Sequence, residues 1–327
     1  MNRQNISRYD LGVAYSSYYI IKSYKRQNGS LPSGLYFNKA LSYVNSEIKK
    51  IDESIRLPHC WYRWGDEVVR YYMPKEITWS HEEASFTKVD WNGGPPILWD
   101  DKFTVAIESI VKEFLNKYPV KNTGWYEELL ADHYEGAPFE FQREYKSCRD
   151  LLFDRTRVNS HEGRYANEVL IAVFKTALST FPKEKLFQPV REFIPTFLNL
   201  ISYPLSGGRE DLFTANDISE EFWYWFSYFL RVHPKAHENI EEETVTYWKS
   251  ELEHETHRFY QNFDDHVARL SKRFPEIVND DLLAPHLQEG VRRMQDWERS
   301  FKDFEDSIEG LDDFLSNKVN LRKGSNN

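Results

Sequence analysis

From Asp10 to Lys25 the apolar residues Leu11, Val13, Ala14, Tyr18, Ile21 and Tyr24 return at helical spacing. Asp10 stands where an N-cap belongs, and Gln27-Asn28-Gly29-Ser30 is a stop signal. Ser33 is placed to cap a second helix that reaches about Ile51, with Leu35, Ala40, Leu41, Val44, Ile48 and Ile51 on one side. Its other side carries Asn38, Lys39, Ser42, Asn45, Ser46, Lys49 and Lys50. Pro58 breaks the helical pattern. Two partly alternating aromatic runs follow, on either side of Trp64-Gly65-Asp66. One reading is a β-hairpin with Gly65-Asp66 as its turn and Tyr62, Val68, Val69 and Tyr71 as β-formers. In the other, only the first run is a strand and Asp66 caps a third helix through Met73; the hairpin is preferred. A further β-like piece spans Ser85 to Val89, and Asn92-Gly93-Gly94-Pro95-Pro96 is the clearest linker in the chain.

Beyond the linker the pattern is helical almost throughout. The expected helices are Asp100–Lys117, Gly124–Tyr134, Phe139–Arg155, His161–Thr180, Lys183–Ile201, Ser219–Arg231, Asn239–Arg273 and Asp280–Asn317, with Pro189 and Pro195 expected to kink or split the fifth. Trp297, Phe301, Phe304, Ile308, Leu311 and Leu315 step by alternating fours and threes, an a/d seam that fits either packing within the chain or a homodimer. The resulting expectation is a mostly α protein. An α+β N-terminal module (1–92) precedes an all-α domain (97–235), a long antiparallel helical hairpin packed on it (236–318) and a disordered polar tail (319–327).

The order helix, helix, aromatic hairpin, with Tyr62-Arg63-Trp64-Gly65 at the corner, resembles the winged-helix regions of prokaryotic regulators. The resemblance implies that the second helix meets double-stranded DNA through Asn38, Lys39, Ser42, Asn45 and Lys49, while Arg63 and Arg70 reach backbone or minor groove. Winged-helix scaffolds also serve protein contacts, and the same face would then meet a protein partner.

Charge tempers the DNA reading. Residues 1–98 hold 13 Lys/Arg against 10 Asp/Glu, whereas residues 99–327 hold 29 against 42. A surplus of three is small for a dedicated DNA-binding domain. Aromatic residues make up 16% of the chain, so the core is expected to be built from rings. Two cysteines, Cys60 and Cys148, are too few for a disulfide scaffold or a thiolate metal site. The N-terminal residues lack an apolar signal-peptide segment, and the most apolar stretch, Phe222–Leu230, is too short to span a bilayer. These features give the expectation of a cytoplasmic protein without a membrane partner.

Few residue patterns carry chemistry. Glu251 and His254 have the Glu-x-x-His spacing of di-iron bundles. At about 100° per residue, however, His254 and His257 fall opposite the apolar stripe of their helix, so a solvated face is the better reading. His266 lies nearer that stripe and reads as a core or interface histidine. Asp132-His133 and Ser160-His161-Glu162 are neighbours of the kind any long chain contains. No nucleophile elbow or zinc-protease motif is present. Ser206-Gly207-Gly208-Arg209 reads as a turn between helices. No catalytic residue, metal or cofactor is therefore assigned. The leading expectation is a non-enzymatic regulator with a winged-helix-like head and an acidic helical body for dimerisation or partner binding. An adaptor of the defence-system or antitoxin type, whose head binds only protein, is the first alternative. An enzyme with a site in the helical body is the second.

Overall fold

The computed structural model describes residues 8–51, 57–63, 65–81, 87–96, 101–121, 124–157, 163–296 and 299. Over these the chain is mostly α with a little β-structure. Helices α1 (Arg8–Asn28) and α2 (Gly34–Ile51) form where the periodicity places them. The Ser33 hydroxyl accepts the Tyr36 N–H at 3.2 Å and starts α2. Strands β1 (His59–Tyr62) and β2 (Gly65–Val68) make the expected hairpin. Its turn falls earlier than Gly65-Asp66, because Tyr62 pairs with Gly65 and Asp66 pairs with Trp61. Gly65, at φ 91°, opens the second strand instead of sitting in the turn. A second hairpin, β3 (Ile77–His81) and β4 (Thr87–Trp91), covers the further β-like piece.

The remaining helices are α3 (Asp101–Lys117), α4 (Trp125–Glu135), α5 (Glu140–Arg157), α6 (Gly163–Ser179), α7 (Gln188–Ser206), α8 (Arg209–Val232) and α9 (Glu242–Ser271). Residues 284–296 are helical and fold back on α9, where Arg293 donates to the Gln261 carbonyl at 2.7 Å. Two expectations change. Helix α7 runs unbroken through Pro195 and Pro204, since Val190, Phe193, Phe197, Leu200 and Ile201 are buried along it and hold it against the core. Helix α8 begins ten residues before Ser219, because the Asp211 carboxylate accepts the Gly208 N–H at 2.7 Å and caps it there. The seam from Trp297 to Leu315 and the tail from 319 lie outside the described residues.

Rings do build the interior. One apolar cluster gathers Phe141, Tyr145, Phe174, Phe197, Trp223 and Phe226 from α5 to α8. A second joins α1 and α2 to Ile107, Val111 and Phe114 of α3, so the packing of the head continues past the 92–96 linker. Strand β5 (His237–Glu238) pairs antiparallel with β1 and gives the sheet order β2-β1-β5. This pairing carries Glu238 to His59, 179 residues away in sequence. Among the described residues no helix is long and apolar enough to cross a membrane.

Candidate functional site

Helix α2 turns much of its polar side inward, onto the β1–β2 hairpin. Lys39 is only 1% exposed. Its ammonium donates to the Asp66 carbonyl and to His133 Nε2 of α4, both at 3.0 Å. Ser42 donates to the same carbonyl at 2.8 Å, and the side-chain Oδ1 of Asn45 accepts the Leu57 N–H at 2.8 Å. Gly65 makes this approach possible. A Cβ there would stand 2.8 Å from the His133 ring and 3.0 Å from Lys39 Nζ.

The Asp66 carboxylate faces His59 on β1, whose Nδ1–H donates to it, while Nε2–H donates to Glu238 at 3.2 Å. Lys49 also pairs with Glu238. Burial works against charging His59, but the adjacent Asp66 carboxylate more than offsets it and lifts the imidazole to about 9. Burial favours neutral Asp66, yet His59 holds its carboxyl below the usual range. Glu238 is drawn down to about 2 by its hydrogen bond from His59 and by Lys49. His133 is different. Burial and the Lys39 ammonium push it to about 3, so it is neutral, and Nε2 accepts from both Lys39 and the Asp66 N–H at 2.8 Å.

Both nitrogens of His59 are bonded to carboxylates, and Nε2 of His133 carries two donors. Neither ring offers a free lone pair at Nε2 or Nδ1 of the kind a general base needs within reach of substrate. The cluster is suited to holding α2, the hairpin, α4 and β5 in one arrangement.

A cavity of about 630 Å³ opens beside it, within the size range of small-molecule sites. Asn38 and Lys39 of α2, Glu67 of β2, and Arg70 line one part. Trp79 of β3, Met73 and Tyr126 of α4 supply apolar and aromatic wall. The Arg70 guanidinium lies 4.5 Å over the Trp79 ring. Asn38 Oδ1 is buried and takes no hydrogen bond. Burial raises Glu67 to about 7 despite the opposing pull of Lys39, and the charge of Lys39 is itself disfavoured by burial, to about 8.

Of the seven residues expected to contact a partner, Lys39, Ser42 and Asn45 are thus bonded within the chain. Lys49 is ion-paired to Glu238, and Asn38 and Arg70 line the cavity. Arg63 lies 4.3 Å over the Tyr224 ring and its carbonyl accepts the Trp223 indole N–H at 2.9 Å. His254 and His257 are exposed, as their helical phase implies, and His266 is buried at 3.3 Å from Glu221. Among the described residues no group of three or more His, Cys, Asp or Glu is placed to hold a metal ion. Sequence reasoning missed His59, Glu67, Trp79, Tyr126 and Glu238, set His133 aside with Asp132, and read Asp66 only as a turn or cap residue. Only Asp66 and Glu67, next to Gly65 in the corner, had a local signal. No protein family, no curated protein and no solved structure matches the chain.

Proposed function

We propose that this protein is a non-enzymatic regulator whose helix-helix-hairpin head takes a small polar ligand in the cavity between α2, the two hairpins and α4. The observation that carries this reading is the position of Lys39. It lines the cavity and is bonded to His133 on α4, so the wall of the site is tied to the body. A ligand there touches groups from both parts and biases how they sit together, which is what regulation by a bound molecule requires. The carboxylates on both nitrogens of His59 and the two donors on His133 Nε2 support binding over catalysis.

The element order of the head supports a second reading, in which a winged-helix-like surface meets double-stranded DNA or a protein partner. The inward bonding of Lys39, Ser42 and Asn45 weighs against α2 as its recognition helix.

Thermal denaturation of the full chain with amino acids, nucleosides, polyamines or sugar phosphates tests the first reading, with a duplex DNA library run in parallel. The expected result is a rise in Tm with one of the small-molecule classes, lost when Trp79→Ala removes the cavity wall. Retention of duplex at low salt, steeply weakened by added salt, would instead favour the DNA reading. If no small molecule shifts the Tm, the cavity reading fails.

A further inference from the structure

Besides Lys39, which is bonded within the chain, two charged side chains of opposite sign line the cavity. Glu67 and Arg70 face the same space, and among the described residues neither makes an ion pair or side-chain hydrogen bond. Two such groups within reach of each other would ordinarily pair, since an Arg–carboxylate contact is among the stronger hydrogen-bonded pairs. They leave an acceptor and a donor on the cavity lining. The Arg70 guanidinium is planar, fixed over Trp79, and matched in shape to a carboxylate. Trp79, Met73 and Tyr126 add apolar and aromatic lining.

We propose that the cavity binds a zwitterionic α-amino acid with a large apolar side chain. Its ammonium group meets the Glu67 carboxylate, its carboxylate meets Arg70, and its side chain lies against Trp79, Met73 and Tyr126. This rests on the head being a ligand-binding module, and it names the class of ligand. A lone cation would leave Arg70 unmatched and a lone anion would leave Glu67 unmatched. The zwitterion satisfies both. The first turn of α2, at Gly34 and Leu35, borders the cavity as well.

Isothermal titration of the full chain with L-phenylalanine and L-leucine tests this, beside phenethylamine, which lacks the carboxylate, and phenylpropionate, which lacks the amine. Uridine and glucose 6-phosphate serve as probes of other classes. At least one amino acid is expected to bind, with phenethylamine and phenylpropionate at least tenfold weaker. Glu67→Gln, which keeps the shape of the side chain, and Arg70→Ala, on an exposed residue, should each weaken the amino acid at least tenfold, with partial recovery in Arg70→Lys. Tyr71→Ser, at a side chain outside the cavity, should leave binding unchanged. Circular dichroism confirms that each variant is folded, and if Glu67→Gln does not fold the Arg70 pair decides. If uridine or glucose 6-phosphate binds and neither amino acid does, the amino-acid assignment is overturned while the cavity reading stands. Binding of none of the probes overturns both. Binding that Glu67→Gln and Arg70→Ala leave intact places the amino acid elsewhere and overturns the assignment.

Discussion

Lys39 holds an ammonium where 1% of the residue is exposed, yet each acceptor it serves has a second donor. Ser42 also donates to the Asp66 carbonyl, and the Asp66 N–H also donates to His133 Nε2. Losing Lys39 to an apolar side chain of similar length therefore orphans neither acceptor. Lys39→Met should change the unfolding free energy by less than about 1 kcal/mol or raise it, whereas Lys39→Ala adds a void and should cost about 2–3 kcal/mol. The doubly bonded carbonyl makes a sharper case. Ser42→Ala and Lys39→Met should each be mild alone, but together they strip Asp66 O of both donors and should show a coupling of about 1–2 kcal/mol in urea denaturation. Additive effects would rule out the shared carbonyl as the link.

His59 gives a pH dependence with a fixed sign. Folded His59 keeps its proton to about pH 9 and an unfolded imidazole to about 6.5. Its stabilisation is thus complete below pH 6.5 and is lost as pH rises through 9. Lys39, lowered to about 8 from 10.5, works in the opposite direction above pH 8, so the window to read is pH 6.5 to 8. There the wild type should lose about 2 kcal/mol more than His59→Gln. A constant difference between the two proteins across that window would count against the His59 imidazolium. None of this was legible residue by residue. His133 is 67 positions from Asp66 and Glu238 is 179 from His59, and no local spacing encodes such meetings.

At the scale of elements the period of the apolar residues carried most of the information. Helices α1, α2, α3, α4 and α5 begin and end within a few residues of where hydrophobic spacing, caps and prolines place them. What the pattern could not convey was which polar side would be covered. Asn38, Lys39, Ser42 and Asn45 look like a solvated or DNA-facing stripe because the hairpin that packs over part of it is encoded elsewhere. Strand β5, two residues long, exists only through its pairing with β1 and has no signature of its own. The hairpin also explains why Gly65 is glycine in two separable ways. Gly29, at φ 70°, has nothing within 4 Å of an added Cβ, while Gly65, at φ 91°, has His133 and Lys39 in contact. Gly29→Ala should cost about 1 kcal/mol for the left-handed backbone alone. Gly65→Ala should cost about 2 kcal/mol more, because β2 must move off α4 and α2. Chemical denaturation of the two variants measures both, and equal losses would mean that the contact with His133 contributes nothing.

On the scale of the whole molecule, two aromatic interiors meet at the polar cluster. The linker at 92–96 looks like a boundary from composition, being rich in Gly and Pro and exposed. The contacts run across it. Phe103, Ile107, Ile110, Val111 and Phe114 of α3 share an apolar cluster with α1 and α2. Trp61 of β1 packs in the cluster of α5 to α8 and stacks on His133 with ring centroids 5.0 Å apart. The Trp223 indole reaches Arg63, and β5 is a strand of the hairpin's own sheet. Each half therefore completes apolar surface that the other would otherwise expose to water, at about 25 cal/mol per Å². A protease site inserted between Gly93 and Gly94 should be cut readily, since both glycines are exposed. After cutting, residues 1–93 and 94–327 should co-elute as one species on size exclusion and melt in a single transition near the Tm of the intact chain. Two independent domains joined by a flexible tether would separate on the column and melt separately. Separation without denaturant would show that the α3 packing and the β1–β5 pairing are too weak to unite the halves, and the route from the cavity to the helical body through Lys39 and His133 would go with them.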